Sequence, residues 1–310
     1  MPRPDTSSYR GYQPDFIASE HRVALPVVSP ELSEQTARLK TDGSPLLHYR
    51  NYTVRQHACR RLPIYSAANV DGRNFLPIPR TQISGGSDRW YKDKRISYQH
   101  QWGNELYRAE HSDFDKGHLT KREDVQWGEH EQAVAGARST FFYPNAAPQH
   151  AALNRAVWKD LEDYILREES VVRELRIGVM SGPVLAEHDP VFVTEVRGQS
   201  VQLPVLFWKI IYYRTPSDEL RRIAFLMGQA HLLREHGIAH FPRVAPVDFF
   251  ADFEQADTYQ VTVATVETLT DLKFQPATEP FTDDRSIPLI LEEVRGRGGG
   301  SRRLIEGLRL

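Results

Sequence analysis

The 310 residues suffice for one large domain or two modest ones, and a hydrophobic share of 40% is ordinary for a folded chain. No apolar run is long enough to span a membrane, and Met1-Pro2-Arg3-Pro4-Asp5 lacks a basic segment followed by an apolar one, so a cytoplasmic location and no membrane partner are expected. The single cysteine, Cys59, excludes an intramolecular disulfide, and a formal net charge of −2 leaves any basic surface a local matter.

Residues 1–45 are proline-rich and read as an arm laid over the domain or over a partner subunit, with one short helix within residues 31–40. Residues 46–70 read as two strands joined through the basic turn Arg60-Arg61, with Cys59 a small buried residue in a strand-like stretch. Residues 84–101 begin with turn-forming glycines and then carry the cations Arg89, Lys92, Lys94 and Arg95, Arg89 standing directly before Trp90. A third basic group, Lys116, Lys121 and Arg122, surrounds His118, and Gly117 permits a bulge or a close backbone approach beside that histidine. Residues 129–138 suit a short surface helix.

From 151 to 167 the apolar residues Leu153, Val157, Leu161 and Ile165 recur every four positions, which predicts a helix with one buried face. Asn154, Trp158 and Glu162 fall on neighbouring stripes of that helix. Residues 175–185, 201–213 and 223–227 are rich in β-branched and aromatic side chains and predict the strands of a central sheet, with Lys209 on a strand-edge surface. Residues 295–303 form a flexible Gly/Arg tail, and the organisation expected is an arm over 1–45, a domain over 46–290 and a tail over 291–310.

A histidine, the carboxamides of Asn145 and Asn154 and the carboxylate of Glu162 within a short piece of chain suggest metal-assisted cleavage of a phosphodiester. That reaction needs a base for water, a cation for the phosphate oxygens and help for the leaving oxyanion. His118 can serve as base near neutral pH without a large pKa shift. Asn154 offers a neutral oxygen that suits a hard cation such as Mg²⁺, which keeps most of its waters.

Asp115-Lys116-Gly117-His118, Asn145 with Pro148-Gln149, and Asn154 with Trp158 and Leu161-Glu162 resemble, in register, the signature of the DNA/RNA non-specific endonuclease family, the ββα-metal or His-Me finger nucleases. The resemblance implies an α+β fold: a central antiparallel β-sheet flanked by helices, with a ββα-metal element as active site. It implies His118 as general base, Asn154 as ligand of a single Mg²⁺ (Mn²⁺ being the alternative), Glu162 and Asn145 as organisers of the metal's waters and the site, and Arg89 as the grip on the scissile phosphate. Arg95 is the second choice for that grip, and Lys116, Lys121 and Arg122 complete the substrate-binding set. Lys116 stands where the family has arginine, which keeps the charge but loses the planar fork. Asp271 stands where the family's terminal turn has glycine.

The implied activity is sugar-nonspecific endonucleolysis of DNA and RNA to 5′-phosphate products. Two further expectations concern partners: a homodimer, and an inhibitor or activating partner that restrains the enzyme, as in a defence or toxin system. The alternative is a catalytically weakened nucleic-acid-binding or regulatory protein on the same fold.

Overall fold

The computed structural model describes residues 3–85, 88–155, 163, 166, 170–242, 258–282, 287–295 and 301–306. In chain order come β1 (Val27–Val28), α1 (Pro30–Glu34), β2 (Leu46–His48), β3 (Tyr52–Gln56), β4 (Pro63–Asp71), α2 (Arg80–Ser84) and α3 (Asn104–Tyr107). Next are β5 (Phe114–His118), α4 (His130–Ser139), β6 (Ala146–His150), α5 (Ala151–Arg155), β7 (Arg176–Pro183), β8 (Val191–Phe192), β9 (Leu206–Arg214) and β10 (Leu220–Gly228). The chain continues with α6 (Ala230–Glu235), β11 (Ala239–His240), β12 (Thr258–Val261), α7 (Val263–Thr270), β13 (Leu272–Lys273), β14 (Ile287–Arg295) and β15 (Ser301–Glu306).

Nine of these strands form one sheet in the order β15-β14-β12-β10-β9-β7-β4-β3-β2, with antiparallel neighbours throughout. The long central strands are the aromatic and β-branched runs. β9 starts at Leu206 because Pro204, having no N–H, cannot donate to a ladder. Alternation along β9 sends Trp208, Ile210 and Tyr212 to one face and Phe207 and Ile211 to the other, and both faces are covered. The second face packs on Leu119, Ala147, Leu153 and Leu166, the apolar underside of the segment around His118. Lys209 is buried on the central strand β9, not at a sheet edge, and its Nζ donates to Ser181 Oγ at 2.9 Å. The run of aromatics around Lys209 buries it, and the facing serine supplies an acceptor.

The proline-rich segment shares the main core. Tyr12, Ile17 and Val23 are buried in the same cluster as Trp208 and Tyr212, and the Tyr12 hydroxyl donates to Val23 O at 3.0 Å. α1 begins at Pro30, where Ser29 Oγ accepts from Leu32 N at 3.2 Å, and stops at Glu34. It does not run on to Lys40 because the chain turns to lie along β3, Ala37 N donating to Gln56 O at 2.8 Å. Cys59 is exposed in the turn between β3 and β4, a correction to its expected burial. The strands end at Gln56 and restart at Pro63, so this cysteine lies in neither. Among the described residues no helix is long and apolar enough to cross a membrane.

α7 ends on Asp271, which adopts a left-handed conformation with φ 54° and ψ 26°. The turn that glycine would make is therefore kept by a residue with a Cβ, at a steric cost. Replacing Asp271 by Gly is expected to raise stability by roughly 0.5–1 kcal/mol, the left-handed penalty less the entropy that glycine gains in the unfolded chain. Urea unfolding of the two proteins checks this, and a destabilised variant would contradict it.

Candidate active site

His118 ends β5, which pairs antiparallel with β6 from Phe114↔His150 to His118↔Ala146. A Cβ placed on Gly117 would lie 2.1 Å from Oε1 of Gln149, so the glycine makes room for that buried side chain. Gln149 is fully buried, and neither polar atom of its side chain has a hydrogen-bond partner among the described residues.

Aromatic rings wall the imidazole. The Trp90 ring centroid lies 4.6 Å from that of His118, and the Phe141 ring stands edge-on at 5.3 Å. Nε2 of His118 is buried with no partner among the described residues. This apolar burial lowers the ring's pKa to about 3; Asp88 opposes the shift, and Arg122, Arg80 and Lys121 reinforce it. At neutral pH the ring is therefore uncharged, with an Nε2 that has no hydrogen-bond partner among the described residues. A phosphate anion arriving beside it would raise its proton affinity and strengthen it as a base.

The segment leaving His118 is held by Asn145. Its Oδ1 accepts from Thr120 N at 3.0 Å, and its Nδ2 donates to Thr120 O at 2.9 Å and to Thr140 O at 3.1 Å. Thr120 is pinned to the sheet in turn, its hydroxyl 2.6 Å from that of Ser66 on β4. Asn145 is fully buried and directs its side chain at backbone groups, so it positions the histidine's loop from within.

The other residues singled out from the sequence divide into several groups. Arg89 is exposed, its guanidinium 5.4 Å from the Tyr91 ring, and its neighbour Trp90 touches His118. Lys116 is half-buried over the Tyr107 ring at 5.3 Å, and burial, then Arg108, lowers its pKa. Lys121 pairs with Asp163 and stands 3.9 Å from Glu123, while Arg122 pairs with Glu123 at 2.9 Å and donates to Ile78 O.

Arg95 is a correction. It makes a two-pronged pair with Asp93, 2.7 Å from Nη2 to Oδ2, donates to His48 O at 2.8 Å and lies on the Tyr49 ring, so its fork is spent inside the protein. Arg60, in the basic turn, is likewise paired with the buried Asp189. Asn154 lies in α5, immediately after the hairpin, but its side chain is outside the described residues, as are Trp158 and Glu162. Sequence reasoning missed Thr120, Ser66 and the wall residue Phe141. Ser66 and Thr120 are too far apart in sequence for local pattern to signal their bond, whereas the run Phe141-Phe142-Tyr143 before Asn145 was a usable hint of an apolar wall.

A histidine closing a two-stranded hairpin that runs directly into a helix, both docked on an antiparallel sheet, is the ββα-metal arrangement. The family model for DNA/RNA non-specific endonuclease matches residues 34–281, and the chain belongs to that family. It is 30% identical over 229 residues to the uncharacterised protein y4fB of Sinorhizobium fredii, covering 71% of this chain and 32% of that protein. Mitochondrial endonuclease G of Bos taurus is 25% identical over 164 residues, 49% of this chain and 50% of that protein, and the Homo sapiens protein is 26% identical over 165 residues, 48% and 50%. The chain thus spans half or less of the length of these relatives. Among solved structures, one of the EndoG/EndoGI complex, titled for the mechanism of EndoG inhibition, aligns with a TM-score of 0.52 at 20% identity over 75% of this chain and 87% of that one; it shows a common fold.

Replacing Asn145 by Ala would leave a buried amide and two carbonyls without their partner. The variant is expected to lose about 2–4 kcal/mol of stability. Chemical denaturation measures this, and a loss under 1 kcal/mol would mean that the clamp is not structural.

Proposed function

We propose that the chain is a metal-dependent endonuclease that hydrolyses phosphodiester bonds of DNA and RNA, with His118 as general base. The observation that carries this reading is the imidazole of His118, its Nε2 buried, without a hydrogen-bond partner among the described residues and walled by Trp90 and Phe141. A purely structural histidine would spend that nitrogen on a hydrogen bond.

The donor chemistry fits a hard cation. Asn154 on α5 and Glu162 further along the sequence are both oxygen donors by residue type, a set suited to Mg²⁺ or Mn²⁺. When bound, the ion supplies charge neutralisation for the phosphate and for the departing 3′ oxygen. His118 takes the proton of the attacking water at Nε2, while the aromatic wall fixes the ring's direction and keeps it unprotonated beforehand. Arg89 is assigned to a phosphate oxygen from the exposed side, and Lys116 adds a positive charge without the bidentate geometry of arginine. Lys121 and Arg122 are assigned to the flanking backbone, where phosphates exchange with their present carboxylate partners. The products carry 5′-phosphates. The EndoG/EndoGI complex concerns inhibition of EndoG, and we extend this to an inhibitor partner for this chain.

With Mg²⁺ the protein is expected to nick supercoiled plasmid and degrade a structured RNA, and with EDTA to do neither. His118→Ala should reduce both rates on the order of 10²–10⁴-fold while the variant stays folded by circular dichroism. Normal cleavage by that variant would remove His118 from the mechanism.

The pH dependence has a definite sign. A ring with a pKa near 3 stays neutral as pH falls from 8 to 5, so protonation of His118 in the free enzyme cannot produce an acid limb in that window. NMR of the metal-free protein should show no titration of the His118 ring between pH 5 and 8. A midpoint near 6.5 would show that the aromatic wall does not exclude water.

A further inference from the structure

The end of the β5–β6 hairpin remote from His118 carries a second set of ligand atoms. Asp113 precedes β5, His150 ends β6 and His236 caps the C-terminus of α6, and one ligand atom from each lies within 4.8 Å of the others. His150 is 2% exposed, and its Nε2 is buried with no hydrogen-bond partner among the described residues. Asp113 Oδ2 stands 3.4 Å from that nitrogen, and the His236 ring centroid is 4.7 Å from that of His150. Tetrahedral coordination with bonds of ~2.0–2.1 Å holds ligand atoms roughly 3.3–3.4 Å apart, so the Asp113–His150 separation already matches one edge. His231, earlier on α6, also has a buried Nδ1 without a partner among the described residues.

We propose that Asp113, His150 and His236 form a site for a transition-metal ion of the zinc class, separate from the oxygen-donor site assigned to Asn154. Two imidazoles and one carboxylate suit Zn²⁺ and are a poor set for Mg²⁺, which prefers oxygen and water. His150 is buried at the back of the set, and Asp113 and His236 lie on the exposed side, where an ion can enter. By contrast, in the surface cluster of Glu20, His21 and Asp218, His21 Nε2 is already 2.9 Å from Asp218 O.

Binding would have a local consequence. At present His150 Nδ1 accepts from Ala152 N at 3.3 Å, so the neutral ring carries its proton on Nε2. Metal on Nε2 places that proton on Nδ1 and releases the Ala152 amide, in the first turn of α5. The His150 backbone stays anchored, its N–H donating to Gln229 Oε1 at 2.8 Å. The ion therefore ties α6 to the start of the helix that bears Asn154.

The test uses the full, untagged chain, stripped of metal and titrated with ZnCl₂ by calorimetry in excess MgCl₂. One saturable Zn²⁺ per chain is expected, weakened by about 100-fold or more in His236→Ala and in Asp113→Asn and unchanged in His118→Ala. Zn²⁺ should also raise the thermal midpoint of the wild type but not of His236→Ala, whose exposed side chain can be removed without harm to the metal-free fold. Absence of saturable binding, or binding that survives His236→Ala, overturns the proposal. Binding lost in His118→Ala but kept in His236→Ala also overturns it and puts the ion at the nuclease centre.

Discussion

The candidate site depends on one buried carboxamide. Asn145 binds both backbone groups of Thr120 and the carbonyl of Thr140, so the loop after His118 and the end of α4 meet on a single side chain. Backbone groups at this depth have no water to turn to, which makes the clamp obligatory. Thr120 passes the constraint to the sheet through Ser66, and His118 is two residues away. The position of His118 relative to the nine-stranded sheet is thus set by hydrogen bonds that never touch its ring.

Charge around this site is held in reserve. Lys121 is paired with Asp163, Arg122 with Glu123 and Arg80 with Asp88, which agrees with a chain whose formal net charge is only −2. Of these, Arg80 is the most exposed, and a surface pair of that kind contributes little to stability and exchanges readily. A polyanion can therefore compete for the cations, and the carboxylates it displaces remain nearby in solvent. Arg89 differs in being exposed against an aromatic ring, already oriented outward. Association should consequently depend on ionic strength more steeply than the overall charge suggests.

Much of this was legible in one dimension, for identifiable reasons. β9, β10 and α4 follow local patterns of apolar and β-branched residues, and local pattern is what a sequence displays. The motif around His118 was legible because its members lie close along the chain and their types are tied to one chemistry. Where the reading failed, the deciding partner was distant or its role was invisible. Arg60 met Asp189, and Lys209 met Ser181 across two strands. Arg95 met the nearby Asp93, a pairing that spacing allowed, but its burial on Tyr49 was not visible. Cys59 was misplaced because a strand boundary had to be located to within a few residues.

The β5–β6 hairpin presents the same physical device at both ends. Burial lowers the pKa of both His118 and His150, and each has an Nε2 without a hydrogen-bond partner among the described residues. Their surroundings set different chemistries. The aromatic rings of Trp90 and Phe141 beside His118 suit the proton transfer proposed for it. A carboxylate and a second imidazole beside His150 favour direct coordination of a softer ion. Because β6 leads without a break into α5, a change at His150 reaches the first turn of the helix that carries Asn154. In a hairpin with strands of five residues, an ion held as proposed at Asp113, His150 and His236 would act on that helix start without any large movement of the sheet.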